Sequence, residues 1–98
     1  MSEIHVRNVI PPRFAFMLKK VHLSRGLIIE WCKVPEFVQG LEALDDQHIE
    51  IDDASVLNLM QKVYDVKVKT KKTEDHGTFS FRAARQAINK LSSFVNQQ

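Results

Sequence analysis

The side chains that most often carry chemistry are few in this sequence, and their spacing matches no catalytic or metal site. Cys32 is the single cysteine, so neither a disulfide within the chain nor a zinc site built on paired cysteines can form. No two histidines have the His-x-x-x-His spacing of a helical metal site; they are His5, His22, His48 and His76. The sequence therefore predicts a non-enzymatic protein without metal or cofactor, in which Cys32 is a small core residue.

A run of carboxylates lies in the middle of the chain. Its members are Asp45, Asp46, Glu50, Asp52 and Asp53, and they lack the Asp-x-Asp-x-Asp-Gly order of a calcium loop. Residues 41–65 carry seven Asp or Glu against one Lys, whereas residues 66–98 carry seven Lys or Arg against two Asp or Glu. The net charge of +2 hides this separation. The separation of charge indicates one of two arrangements. Either the charged residues pair with one another locally, or a basic surface binds a polyanion while residues 42–53 form a separate acidic belt.

A second group of polar residues has the chemistry of nucleic-acid recognition. Helical spacing over 53–64 leaves four residues outside the apolar face: Ser55, Asn58, Gln61 and Lys62. Asn and Gln can pair bidentately with adenine, and Lys can reach guanine or phosphate. Four further lysines follow, and we expect them to contact phosphates: Lys67, Lys69, Lys71 and Lys72.

The elements that must position these residues follow from periodicity. A spacing of 3.6 predicts helices near 12–25, 35–44, 53–64 and 82–96, the last capped by Ser80. Gly26 would end the first helix. Alternation with period two predicts a β-hairpin over 66–81, and 1–11 reads as a short strand or arm. Two segments remain open between strand and helix or turn, namely 27–34 and 48–51.

The order of helix, helix, basic hairpin and helix resembles a winged helix. In that resemblance 35–44 is the first helix of a helix-turn-helix, 53–64 is the recognition helix and 66–81 is the wing. The predicted fold class is therefore α+β: a small single domain over 1–98, mainly helical, with a C-terminal β-hairpin. If 48–51 is a strand, the alternative is an α+β sandwich with a small mixed sheet.

Two functions follow as hypotheses. The first is a small DNA-binding regulatory protein of winged-helix type. The second is an adaptor or inhibitor that binds a protein partner through an acidic 42–53 surface, with Glu42, Asp45, Asp46 and Glu50 as the contacts. A homodimer is compatible with both. No apolar run approaches the ~18 residues of a membrane span, and no signal peptide is evident. We therefore expect no membrane partner and an intracellular location, cytoplasmic, nuclear or in the nucleoid.

Overall fold

Five α-helices make up the regular structure of residues 10, 12–70 and 79–97, the part of the chain that this computed structural model describes. In chain order they are α1 Pro12–Met17, α2 Arg25–Cys32, α3 Pro35–Asp46, α4 Asp53–Thr70 and α5 Phe81–Asn96. These residues contain no strand. None of their helices is long and apolar enough to cross a membrane.

Local sequence signals begin and end the helices. The Ser24 hydroxyl accepts a hydrogen bond from the Leu27 N–H at the start of α2, and Pro35 occupies the first turn of α3. Ser80 caps α5 by accepting from the Ala83 N–H at 3.1 Å, as predicted. These helix starts can be predicted from the sequence, because each depends on one residue and its immediate neighbours.

The end of α3 is less usual. His48 has a φ of 60°, in the left-handed region where glycine is common, and its N–H donates to the Asp45 carbonyl. The next residue, Ile49, donates its N–H to the Leu44 carbonyl at 2.9 Å. The two bonds form a Schellman motif, which holds the chain in a fixed direction as it leaves the helix.

The four longer helices form a closed ring in two layers. α2 packs against α3 and α5, and α4 packs against the same two helices, while α2 and α4 do not approach each other within the described residues. The layer of α4 and α5 therefore lies opposite the layer of α2 and α3. The largest fully buried side chains lie between them: Trp31, Phe37, Leu41, Val56, Met60 and Leu91.

Gly40 permits the close approach of α3 to α4. A Cβ at this position would overlap the Cδ1 of Leu59 on α4. A glycine in the middle of a helix is less favourable than alanine by roughly 1 kcal/mol. The contact with α4 explains why a glycine nevertheless occupies this position.

The predicted α+β fold is wrong where the structure can be compared with it. Residues 66–70 are not the first strand of a hairpin but the last turns of α4, and the exposed fractions of Val66 and Val68 are 52% and 43%. No Gly or Pro lies between Tyr64 and Thr70 to stop the helix, and adding residues to an existing helix costs little compared with starting one. The described residues of the predicted wing, 66–70 and 79–81, contain no strand, and 71–78 lies outside the described residues.

The two segments that the sequence leaves open between strand and helix or turn contain no strand either. Residues 27–32 belong to α2, and 48–51 lies in the connection between α3 and α4, so the alternative sandwich is wrong as well. The single helix predicted over 12–25 divides into α1 and the start of α2. Gly26 does not end a helix but is the second residue of α2. The arm predicted over 1–11 lies outside the described residues, except for Ile10.

Candidate nucleic-acid interface

The N-terminus of α4 uses one of the predicted contact residues for its own cap. The Ser55 N–H donates to Asp52 Oδ1 and the Asp52 N–H donates to Ser55 Oγ, both at 3.0 Å. This reciprocal arrangement satisfies two backbone donors at the helix start. Ser55 is half-buried and engaged, so it has a structural role.

Three other predicted residues on α4 reach solvent. Asn58, Gln61 and Lys62 are exposed. Lys62 forms no ion pair with any residue in 10, 12–70 or 79–97. Asn58 and Lys62 are four residues apart and therefore share one side of the helix, while Gln61 borders α5.

The lysines predicted to form one row after residue 64 do not lie on one side of the molecule where the structure describes them. Residues two apart in an α-helix point about 200° away from each other. Lys67 turns toward α3, where its Nζ lies 3.1 Å from Glu36 Oε2, and only 13% of its side chain is exposed. Lys69 is exposed and has no ion pair within the described residues. Lys71 and Lys72 lie outside those residues.

The outer face of α5 is the largest set of polar side chains that the sequence reasoning missed. Six exposed residues follow one another at helical spacing: Arg82, Arg85, Gln86, Asn89, Lys90 and Ser93. The opposite side of the helix is buried through Ala84, Ala87, Ile88 and Leu91. The chain has no Asp or Glu after Asp75, so α5 carries three cations and no anion. The lack of acidic residues, together with the helical spacing of the polar ones, indicates a basic helix surface from the sequence alone.

A shallow groove of about 240 Å³ joins the outer faces of α4 and α5. The guanidinium of Arg85 lies 5.7 Å from the ring centroid of Tyr64, and its Nη1 donates to the Tyr64 hydroxyl at 3.5 Å. Stacking on an aromatic ring restrains the side chain and leaves other guanidinium donors available. Asp65, also in this groove, is the one acidic residue that residues 53–70 and 79–97 place on the exposed side of the α4–α5 layer.

The acidic belt differs because most of its carboxylates have cationic partners inside the chain. Arg13 lies 3.5 Å from Glu42 and 3.3 Å from Asp45, and the Lys20 Nζ lies 2.9 Å from Glu50. The Glu50 carboxylate accepts this hydrogen bond and raises the pKa of Lys20. Among the four residues predicted to bind a protein partner, Asp46 alone has no ion pair with a described residue.

Asp53 is a buried carboxylate that joins three parts of the fold. With 7% of its surface exposed, it accepts the His22 backbone N–H at 2.8 Å and lies 2.6 Å from His22 Nδ1. The His22 ring stacks on Phe94 of α5 with centroids 4.3 Å apart. Both carboxylate oxygens of Asp53 contact His22, and His22 in turn contacts α5. Asp53 therefore connects the α1–α2 segment to α4 and α5.

Cys32 is a poor candidate for a reactive group. Cys32 is half-buried rather than fully buried, and this burial raises the pKa of its thiol, which lowers the fraction of reactive thiolate. Within the described ranges, no three His, Cys, Asp or Glu side chains are grouped so that they could hold a metal ion.

Comparisons with known proteins add no further information about the interface. No known protein family, curated protein or solved structure matches the chain significantly.

Proposed function

We propose that this protein is a non-enzymatic DNA-binding protein that meets the duplex with the outer face of α4 and α5. The observation that carries the proposal is the placement of unpaired charge. Five cations on these two helices have no ion pair within the described residues, namely Lys62, Lys69, Arg82, Arg85 and Lys90. Among the described residues, Asp65 is the one acid that opposes them on the same face, and the balance there is strongly basic.

The shape and chemistry of α5 suit the major groove. A helix of 16 residues is about 24 Å long, and an α-helix fits the width of the groove. Its exposed side offers Arg and Lys for phosphates or guanine, and Gln86 and Asn89 for adenine edges. In this arrangement Lys62 and Lys69 on α4 contact the adjacent phosphate backbone.

The alternative of an acidic adaptor surface receives less support from the charges. Glu42, Asp45 and Glu50 already contact Arg13 or Lys20. A basic partner would have to compete with those pairs, whereas DNA phosphates would meet cations that have no ion pair within the described residues. The difference favours DNA over an adaptor, and no contact in the acidic region independently favours a basic partner.

The test is a fluorescence anisotropy titration of a labelled duplex at several salt concentrations. Counterion release predicts that the logarithm of the binding constant falls linearly with the logarithm of salt concentration. The variant Arg82→Ala/Lys90→Ala removes two cations from the α5 face, and we expect its salt slope to be smaller by about two.

The matched control is Arg25→Ala/Lys33→Ala, which removes two cations from the first and the capping position of α2 in the other layer, where Lys33 is paired with Glu30. We expect its salt slope to stay close to that of the wild type. Equal losses in the two variants would show that net charge alone attracts DNA. The absence of salt-dependent binding by the wild type would refute the function itself.

A further inference from the structure

Arg85 differs from the other cations on the outer face of α4 and α5, because an aromatic side chain holds it. Its guanidinium lies 5.7 Å from the centroid of the Tyr64 ring, and its Nη1 donates to the Tyr64 hydroxyl at 3.5 Å. The Tyr64 ring is half-buried and meets Phe81 edge-on, with centroids 5.8 Å apart. Four cations of this face have no ring contact or ion pair within the described residues: Lys62, Lys69, Arg82 and Lys90.

The position of Arg85 on α5 directs it toward α4. At about 100° per residue, Arg82 and Gln86 lie about 160° from the buried Ala84 and form the outermost line of the helix. Arg85 lies only about 100° from Ala84, and it lines the groove that α5 forms with α4. When the outermost line of α5 enters the major groove, Arg85 therefore meets the sugar-phosphate backbone at the edge of the groove and not the base pairs on its floor.

The groove between α4 and α5 offers the hydrogen-bond donors that a phosphate group needs. Gln61 lines it with an exposed side-chain amide, and the guanidinium of Arg85 keeps donors beyond the one that Tyr64 engages. Asp65 also lines the groove, but it forms no ion pair with Arg85, so the guanidinium keeps its charge for a ligand. A guanidinium with free donors binds two phosphate oxygens at once, which a lysine ammonium does not do in the same planar geometry.

We propose that the α4–α5 groove is the binding site for one backbone phosphate of the duplex, in which Arg85 makes the main contact and Tyr64 is a positioning residue. The inference rests on the proposed function and identifies the contact that is preorganised. An arginine that is restrained before binding loses less conformational entropy when it meets its ligand. Because all nucleotides carry the same phosphate, this contact contributes affinity and no base preference.

Anisotropy titrations with two duplexes of unrelated sequence separate the role of Tyr64 from that of Arg85. Arg85→Ala loses the phosphate contact, so its salt slope should be smaller by about one and its affinity about tenfold lower for both duplexes. Tyr64→Leu keeps the cation but releases it, so we expect the slope of the wild type with an affinity about three- to fivefold lower. Tyr64→Phe keeps the ring beside the guanidinium and should stay within about twofold of the wild type.

The double variant distinguishes positioning from a general effect on the fold. If Tyr64 acts through Arg85, Tyr64→Leu/Arg85→Ala binds as Arg85→Ala does, because the group that Tyr64 positions is no longer there. An additional loss of about threefold in the double variant would overturn the positioning role, since additive losses mean independent effects. Circular dichroism confirms that each variant is folded.

A second measurement needs no variant. The wild type is titrated with inorganic phosphate at constant ionic strength and followed by NMR. We expect saturable shifts of the Arg85 Nε–H and of the Gln61 side-chain amide, and no saturable shift at Arg25, which is exposed in the other layer and is the control. Equal shifts at Arg25 and Arg85, or no shift at Arg85, would overturn the phosphate site.

Failure of this inference and failure of the proposed function give different results. If the wild type shows no salt-dependent duplex binding, the DNA function is refuted and this inference with it. If the wild type and Tyr64→Leu bind both duplexes with the same affinity, the inference alone is refuted and the DNA function stands.

Discussion

The acidic and basic regions of this chain look alike in the sequence, since each is a cluster of one charge, but they differ in the folded molecule. Glu42, Asp45 and Glu50 have cationic partners within the chain. On the outer face of α4 and α5, Arg82 and Lys90 have no anionic partner among the described residues. A count of charges along the sequence does not separate the two cases, because ion pairing depends on residues about 30 positions apart.

The comparison shows where electrostatic free energy remains available for binding. A carboxylate with a close cation has already exchanged part of its hydration for an ion pair, whereas an unpaired cation keeps its hydration and can displace the counterions that are condensed on DNA phosphates. The acidic region therefore acts mainly within the fold, and the basic region faces outward. The predictions below test this division, beginning with the largest expected effect.

The strongest structural role in the acidic region belongs to Asp53. Asp53→Ala should lower the free energy of unfolding by about 2–3 kcal/mol, because it removes the acceptor of the His22 N–H and a buried charge at the start of α4. Urea denaturation followed by circular dichroism measures the change. Asp46→Ala is the control, since Asp46 is exposed and unpaired within the described chain, and its effect should stay within about 0.5 kcal/mol.

The contact between α3 and α4 joins the two regions, and Gly40 sets its spacing. Gly40→Val should cost about 2 kcal/mol, because the new side chain overlaps Leu59 in a packed interface. Thermal unfolding measures the loss. Gly26→Ala serves as the control, since a Cβ there meets nothing within 4 Å, and we expect it to stabilise the protein by about 0.5–1 kcal/mol. A Gly40→Val variant as stable as the wild type would contradict the packing role of Gly40.

Several helices were predictable because their signals are local. The helices expected at 35–44 and 82–96 are confirmed as Pro35–Asp46 and Phe81–Asn96, and Pro35 and Ser80 mark their starts. Residues 53–64 are also helical, but the element continues to Thr70. The alternation of Val and Lys over 66–69 predicts a strand, but it spans barely one helical turn and follows a helix without interruption.

The candidate site was less predictable, because it depends on which charges meet in space. The pairing of Lys67 with Glu36 separates it from Lys69, although both lysines have the same local sequence pattern. Ser55 could have been recognised as a capping residue from Asp52 three positions earlier. The sequence predicts 82–96 as a helix that packs on the core, and only the fold shows that the cations on its other side belong to one surface with those of α4.

The two lysines provide a direct test of pairing as the deciding factor. Lys69→Ala should weaken duplex binding by about threefold or more and reduce the salt slope by about one, because a phosphate contact is lost. Lys67→Ala should leave the slope unchanged, since this side chain is held against Glu36. Both are measured by anisotropy at the same salt concentrations. Equal slopes for the two variants would contradict the assignment of Lys69 to the interface.

The smallest expected effect is a gain of affinity at Asp65. This carboxylate lies in the groove between α4 and α5 and is the one acid that the described part of the chain places on the basic face. Asp65→Asn removes its repulsion of phosphate and keeps the size of the side chain. At a separation of 6–8 Å in water, a unit charge changes the interaction by about 0.5 kcal/mol, so affinity should rise about twofold at low salt.

Asp46→Asn makes the same change of charge in the acidic region and is the matched control. If position decides, Asp65→Asn raises affinity and Asp46→Asn does not, because screening over a Debye length of about 10 Å at 0.1 M salt removes the influence of a distant charge. If both variants gain equally, the duplex responds to net charge and the basic face is not a defined interface. The difference should also shrink as salt increases, since the repulsion that Asp65→Asn relieves is itself screened.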